Sequence, residues 1–182
     1  MIVGEPLALP PDAAGAAKEY LRVVGADEDA LIAQLMLSAA ELCESFTGQA
    51  LIARAFVETL TANPSWQRLG RTPVRAISLI EEVPREGEPT ALPSESYAID
   101  IDANGDGWVR VNGTGDAPRA RATYEAGLAL EWADLPAALR QGCVRLAAHL
   151  YSHRASEGAR SAQEPPAAVT ALWRPFRRMR LR

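Results

Sequence analysis

The sequence predicts an α+β fold, in which two long helices and one short helix pack against a small antiparallel β-sheet. Apolar residues recur at helical spacing near both ends of the 182-residue chain. In the middle of the chain, apolar and polar residues alternate with the period of a strand. Clusters of Gly, Pro, Asn and Asp separate these alternating stretches, as turns separate antiparallel strands.

The composition narrows the class of protein. Hydrophobic residues make up 48% of the chain and charged residues 23%, which is ordinary for a globular protein. A formal net charge of −4 argues against a protein that coats nucleic acid with its whole surface. No apolar run is long enough to span a membrane, and the N-terminus lacks a signal-peptide pattern. Cys43 and Cys143 are far apart in the sequence, which favours buried free thiols and synthesis in the cytoplasm.

The central helix is predicted over residues 27–47. Acidic residues at its start suit a helix N-terminus, and Gly48 is a typical stop. Its apolar side chains form one line of Leu31, Leu35, Leu42 and Phe46. A second line consists of Ile32, Met36 and Cys43. Because this sector is wider than that of an ordinary surface helix, we predict that the second line packs against a neighbouring protomer. The alternative is a well-buried core helix.

Two other helices and five strands complete the predicted core. A short helix is expected over residues 13–23, with Asp12 as its cap. A second long helix is expected over residues 135–154, with Pro136 in its first turn. The strands are predicted at residues 51–62, 74–83, 96–102, 108–113 and 119–127, with a Pro-, Glu- and Gly-rich loop at 84–95. Residues 1–154 should then form one core, followed by a flexible linker at 155–166 and an extended docking segment at 167–182.

Two patterns suggest metal binding but are incomplete. Residues 100–107 match the first half of a calcium-binding loop, with Asp100, Asp102, Asn104 and Gly105 at the expected positions. The twelfth position is Val111 where a Glu is required, so a structural turn is favoured. His149 and His153 share a helix face but lack an obvious third ligand. We therefore expect no metal, no cofactor and, because nucleophile motifs are also missing, no enzymatic activity. An enzyme that uses the 100–106 acidic loop with a metal is the least favoured hypothesis.

The C-terminal segment is the most informative polar feature. Five arginines stand among the last nine residues, interleaved with Phe176, Met179 and Leu181, and Trp173 precedes them. Trp, Met and Arg are enriched at protein interfaces, which favours docking onto a protein surface. The same composition suits phosphate contacts and base stacking, so a nucleic-acid-binding module is the alternative function. A basic end without a specific role is the third possibility.

Several stretches resemble the head–tail connector (adaptor) proteins of long-tailed phages and phage-derived gene transfer agents. They are DEDALI (27–32), Ala39-Ala40, FTGQALI (46–52), YEAG (124–127), Leu135-Pro136, LRQ (139–141), AHLY (148–151) and WRPFRRMRL (173–181). The order and spacing of these stretches agree with the family over most of the chain.

The resemblance implies a structural role at the head–tail junction of a phage-like particle made in the bacterial cytoplasm. Such adaptors assemble as a ring, usually a dodecamer, beneath the portal protein. They continue the DNA channel without sequence-specific DNA binding, and they offer a platform to a tail-side stopper protein. Their C-terminal segments dock into the portal, which assigns that role to Trp173, Arg174, Pro175, Phe176, Arg177, Arg178, Met179, Arg180 and Leu181. The 84–95 loop and the 155–166 linker depart from simpler members and leave the tail-side surface open.

Overall fold

The computed structural model describes residues 1–112, 118–153 and 165–178, and the chain forms two compact units. The sheet unit comprises Met1–Pro6 and Ile52–Leu128, and the helical unit comprises Leu7–Leu51 and Ala129–Arg182. This division replaces the single core expected over residues 1–154. Most of the predicted 155–166 linker lies outside the described residues. Within the described ranges, no helix combines the length and apolarity needed to cross a membrane.

The helical unit contains four α-helices among its described residues. They are α1 (Pro11–Leu21), α2 (Asp29–Thr47), α3 (Ala137–Ser152) and α4 (Ala167–Trp173), and a 3₁₀ turn at Arg174–Phe176 follows α4. α2 packs against α1 and α3, and α3 also packs against α4. The three predicted helices are thus present, and α4 is an additional helix.

Local backbone chemistry sets where the helices begin and end. Gly48 follows α2 with a φ of 71°, a left-handed conformation that glycine adopts without strain, and its N–H donates to the Glu44 carbonyl at 2.8 Å. Pro10, rather than Asp12, is the N-cap of α1. Pro136 is the N-cap of α3, so this helix begins at Ala137 instead of at residue 135. Proline is tolerated at these positions because a helix start needs no hydrogen-bonded N–H.

The wide apolar sector of α2 is buried within the chain itself. Ile32 and Met36 are 1% exposed and Cys43 is 0% exposed. A side chain with almost no accessible surface cannot contact a neighbouring copy. These three residues therefore belong to the chain's own core and not to a protomer contact. The other apolar line of α2 is half-buried or exposed: Leu31, Leu35, Leu42 and Phe46.

The sheet unit contains two antiparallel sheets rather than one. Its described strands are β1 (Ile2–Gly4), β2 (Arg54–Thr61), β3 (Gln67–Arg68), β4 (Val74–Val83), β5 (Thr90–Ala91), β6 (Tyr97–Ile101), β7 (Gly107–Val111) and β8 (Arg119–Ala126). The larger sheet has the order β1-β2-β8-β4-β5, and the smaller has the order β3-β7-β6. The five predicted strands correspond to β2, β4, β6, β7 and β8.

The alternation seen in the sequence corresponds to the two faces of the larger sheet. On β8, Ala120, Ala122, Tyr124 and Ala126 are buried, whereas Arg119 and Glu125 are exposed. Tyr124 faces Phe56 of β2 in register, and their rings stack with centroids 5.8 Å apart. Cross-strand pairs of this kind stabilise a sheet and fix its register.

A buried carboxylate links strands and loop in the sheet unit. Glu58 on β2 is 8% exposed and accepts hydrogen bonds from the Tyr124 hydroxyl at 3.0 Å and from the Gly70 N–H at 2.7 Å. The Tyr124 hydroxyl accepts in turn from the Arg71 N–H at 3.1 Å. Burial, and then the charge of Glu58, raise the pKa of Tyr124 above its ordinary value, so the hydroxyl remains a donor. The network thereby satisfies a buried charge that would otherwise oppose folding.

Replacing Tyr124 with Phe removes the hydroxyl donor and leaves the buried Glu58 carboxylate with one fewer partner. We expect Tyr124→Phe to lower the free energy of unfolding by about 1–3 kcal/mol, measured by urea denaturation. The matched control is Tyr20→Phe, because Tyr20 is 57% exposed and its change should stay within about 0.5 kcal/mol. Equal stabilities of the two variants would contradict a structural role for the network.

Candidate functional site

The predicted docking segment is folded onto the helical unit and is not extended. α4 and the 3₁₀ turn cover residues 167–176, and α4 packs against both α3 and α2. Pro166 is the N-cap of α4, and Pro175 lies in the first turn of the 3₁₀ segment. Both positions accept proline, so these residues are compatible with the helix that the sequence did not predict.

Trp173 is held in a notch on α3, formed by Leu139 and Gly142. Its indole N–H donates to the Leu139 carbonyl at 3.4 Å, and the side chain is 0% exposed. Its ring also packs on Phe46 of α2, with centroids 5.9 Å apart. A Cβ atom added to Gly142 would lie 2.1 Å from the indole Nε1, so only glycine leaves room for this ring. Trp173 is therefore an anchor within its own chain, which corrects its assignment as a portal-facing side chain.

The end of α2 holds the backbone that follows Trp173. The buried Gln49 side chain donates from Nε2 to the Phe176 carbonyl at 2.5 Å. The Arg178 N–H donates to the Thr47 carbonyl at 2.8 Å. That carbonyl belongs to the last turn of α2, where carbonyls lack intrahelical partners. The segment therefore has a defined position on the helical unit as far as Arg178.

The accessible surface of the segment is cationic after the end of α4. Between Arg174 and Arg178, the exposed residues are Arg174, Pro175 and Arg177, whereas Phe176 and Arg178 are half-buried. The Arg177 guanidinium lies 5.5 Å from the centroid of the Phe46 ring, in a cation–π contact. Guanidinium groups at this surface can bind carboxylates or phosphates with paired hydrogen bonds. The last three predicted docking residues lie outside the described residues: Met179, Arg180 and Leu181.

Solved structures of particle necks share this fold over the whole chain. A chain from the neck of an empty GTA particle computed with C6 symmetry matches with a TM-score of 0.77 and 25% identity, covering 100% of this chain and 97% of that one. A chain from the virion of a native gene transfer agent (GTA) particle matches with a TM-score of 0.75 and 26% identity, at the same coverage. A chain from the neck of a native GTA particle computed with C12 symmetry matches with a TM-score of 0.71 and 25% identity, again at that coverage. No protein-family model and no curated protein matches the chain.

The chain resembles a neck protein of a phage-like particle. Because the likeness covers both units, it applies to the whole molecule and not to one common substructure. It agrees with the structural role that the sequence resemblance implies, and it supports a location in the virion.

The calcium-like motif of this neck-like protein forms a hairpin turn held by its own acidic side chains. The Asp102 carboxylate accepts from the N–H groups of Asn104 at 2.8 Å and Asp106 at 3.0 Å, and from the Trp108 indole at 3.2 Å. The Asp106 carboxylate accepts from the Thr72 hydroxyl at 3.0 Å. These contacts account for the motif as a structural turn. In the described part of the chain, no group of three His, Cys, Asp or Glu residues could hold a metal ion.

The two histidine rings lie against each other in a tilted arrangement at the C-terminal end of α3. Their ring centroids are 4.1 Å apart, and a ring nitrogen of His153 lies 2.8 Å from the His149 carbonyl. Burial, and then the neighbouring His153, lower the pKa of His149 below its ordinary value. The two rings therefore pack at the helix end, and the lowered pKa favours the neutral form of His149.

The structure also contains a groove that the sequence did not reveal. It lies on the helical unit between the N-terminal segment, α1 and α2, with a volume of about 660 Å³. Small and apolar side chains dominate its lining, including Leu9, Pro10, Ala14, Ala33 and Leu37. Its polar side carries the ion pair of Lys18 and Asp29. A proline-rich segment without periodicity carries no sequence signal for such a surface.

The notch for Trp173 can be tested by adding one methyl group. Gly142→Ala should lower the free energy of unfolding by about 1–3 kcal/mol, because the methyl overlaps the buried indole. The matched control is Gly15→Ala on α1, where an added Cβ meets nothing within 4 Å. There the better helix propensity of alanine should raise the free energy of unfolding by about 0.5–1 kcal/mol. Stabilisation by both substitutions in urea denaturation would mean that Gly142 does not shape the notch.

The neutral state of His149 predicts acid sensitivity. Because its folded pKa lies below the unfolded value of 6.5, the neutral form favours folding above that pH. This contribution is lost as the pH falls from 6.5 through the lowered folded pKa. Melting temperatures measured across this range should fall less for His149→Leu than for the wild type. His153→Gln should keep most of the acid sensitivity, because burial is the first cause of the shift. An unchanged pH profile in His149→Leu would contradict this assignment.

Proposed function

We propose that this protein is a head–tail connector, or adaptor, that joins the capsid portal to the tail-side stopper protein in a phage or gene transfer agent particle. The observation that carries the proposal is the likeness to neck proteins over 100% of the chain. The proposed role is structural, without a cofactor and without catalysis. The protein would be made in the bacterial cytoplasm and act at the head–tail junction.

The proposed assembly is a ring of identical copies around the DNA channel. The similar neck structures were computed with C6 and C12 symmetry, and a ring of twelve copies is compatible with both symmetries. In a cyclic ring each copy uses two different patches, one for each neighbour. On α2, the half-exposed line of Leu31, Leu35 and Leu42 is better suited to such a contact than the buried side chains. DNA would pass through the channel without sequence-specific binding.

Docking to the portal is assigned to the exposed, arginine-bearing part of the C-terminal segment. This part is already held in place before a partner binds. Trp173 is buried, the Gln49 side chain donates to the Phe176 carbonyl, and the Arg178 N–H donates to the Thr47 carbonyl. A segment that is already ordered loses less conformational entropy on binding than a free tail does. Arg174 and Arg177 are exposed and can meet acidic groups of a partner. Trp173 supports docking by fixing the segment and not by entering the portal.

The alternative function is nucleic-acid binding through the same arginines. It shares the cationic surface but predicts binding to DNA in the absence of a partner protein, with an affinity that falls steeply with salt. The connector proposal instead predicts that the protein is incorporated into particles. It also predicts that replacing these two arginines does not change the affinity of the isolated chain for DNA.

Charge reversal at exposed positions tests the docking surface without opening the core. The double variant Arg174→Glu/Arg177→Glu should lose incorporation into particles by at least about tenfold, because each lost charge-assisted contact costs about 1.5–3 kcal/mol. The measurement is an immunoblot of particles purified from cells that make only the variant. The melting temperature should change little, since both residues are exposed.

The matched control is Arg85→Glu/Arg119→Glu, which makes the same change in net charge at two exposed positions of the sheet unit. Particles containing normal amounts of the first variant would overturn the docking assignment. Low-salt DNA binding that disappears only in the first variant would favour the nucleic-acid-binding module instead.

A further inference from the structure

Two free cysteines face each other across the α2–α3 contact. Cys43 lies on α2 and Cys143 on α3, and both are fully buried. The two helices pack against each other, and the Cys143 thiol is close enough to that of Cys43 to raise its pKa. Residues a hundred positions apart in the sequence are thus brought together by the tertiary structure.

The position of Trp173 independently shows that these two parts of the helices are close. Its ring contacts Phe46, three residues after Cys43, and its indole N–H reaches the carbonyl of Leu139. The same indole lies over Gly142, the residue immediately before Cys143. The thiol pair therefore lies beside the notch that holds the C-terminal segment.

We propose that Cys43 and Cys143 are the site of an intramolecular disulfide that forms between α2 and α3 after the protein has left the reducing interior of the cell. Intracellular thiols are kept reduced, whereas disulfides form and persist on virions and in other oxidising surroundings. The timing rests on the proposed function, because a particle protein is made inside the cell and later works outside it. The pairing itself does not need the proposed function, because both thiols are buried where α2 packs against α3.

The reaction needs a two-electron oxidant, and a low-molecular-weight disulfide such as oxidised glutathione supplies it. The thiolate of one cysteine attacks a sulfur of the oxidant and expels one glutathione thiolate, which leaves a mixed disulfide. The thiolate of the second cysteine then attacks the protein sulfur and expels the other glutathione thiolate. The protein loses two protons and two electrons, and the oxidant leaves as two glutathione thiols.

The surroundings make this a slow modification and not a rapid sensor. The hydrogen bond with Cys143, and then burial, raise the pKa of the Cys43 thiol above its ordinary value. Thiolate is the reactive form, so the rate should rise with pH and should depend on transient opening of the helix contact. Once formed, the bond would fix the spacing of the two helices that hold Trp173, and with it the position of the C-terminal arginines.

The test uses the full chain, purified in reductant and then freed of it. The protein is incubated with oxidised glutathione at neutral and at mildly alkaline pH, denatured in excess alkylating agent and weighed by intact mass spectrometry. We expect an unalkylated monomer that is two hydrogen atoms lighter than the reduced chain, with a Cys43–Cys143 peptide in its digest. It should form faster at alkaline pH. Its melting temperature should be higher by roughly 10 °C, and reductant should reverse the shift.

Three results would overturn the pairing: two alkylated cysteines, a persistent glutathione adduct, or disulfide-linked dimers. Cys143→Ala is the control, because its remaining thiol should stay alkylatable or carry only glutathione. The covalent readout of the wild type decides the question even if that variant fails to fold.

A measurement on purified particles tests the disulfide and the proposed connector role separately. Purified particles should contain the cross-linked form, and freshly lysed cells alkylated at once should contain the reduced form. Particles that lack the protein altogether would overturn the connector role, while a disulfide in the isolated chain would still stand. Particles that contain the protein with both thiols reduced would overturn the disulfide and leave the connector role intact.

Discussion

Close packing of α2 against α3 is the constraint on which the helical unit depends. Many of the buried side chains of both helices are small: Ala39, Ala40 and Cys43 on α2, and Cys143 and Ala147 on α3. Small residues let two helices approach closely, since interaxial distance follows the size of the side chains in contact. A large ring then fills the remaining space, because Trp173 lies between Phe46 and the notch at Gly142.

This packing changes the role of the aromatic residues in the C-terminal segment. Aromatic and cationic residues together are typical of a surface that binds a partner. Here the aromatic part binds the chain's own helices, and exposed guanidinium groups such as those of Arg174 and Arg177 face solvent. Apolar burial thus orders the segment within one chain, and the charges remain available for recognition. This division lets a short segment be ordered by its apolar side chains while its charged side chains stay accessible.

The sheet unit shows which strands a sequence can predict. β2, β4 and β8 are 8 to 10 residues long, which gives a strand pattern enough positions to be recognised in the sequence. Buried positions alternate regularly along β8, whereas β4 pairs with β8 through register shifts and its burial does not alternate. β1, β3 and β5 are only two or three residues long and carry no measurable period. They are strands because a longer neighbour offers its free edge, as β2 does when Glu58 pairs with Ile2. The split into two sheets was likewise beyond prediction, since alternation does not identify the partner of a strand.

The sequence by itself determined where the long helices and strands lie, and it identified the C-terminal segment as the place where apolar anchors and arginines combine. Periodicity, helix stops such as Gly48 and turn residues act over a few positions, so they can be recognised along the chain. Only the tertiary structure decided that Ile32, Met36 and Trp173 are core residues rather than contacts for a partner. The physical reason is that burial depends on what packs opposite a side chain. Opposite Trp173 lies Gly142 of α3. The sequence around Trp173 cannot predict this contact, because Gly142 is far away along the chain.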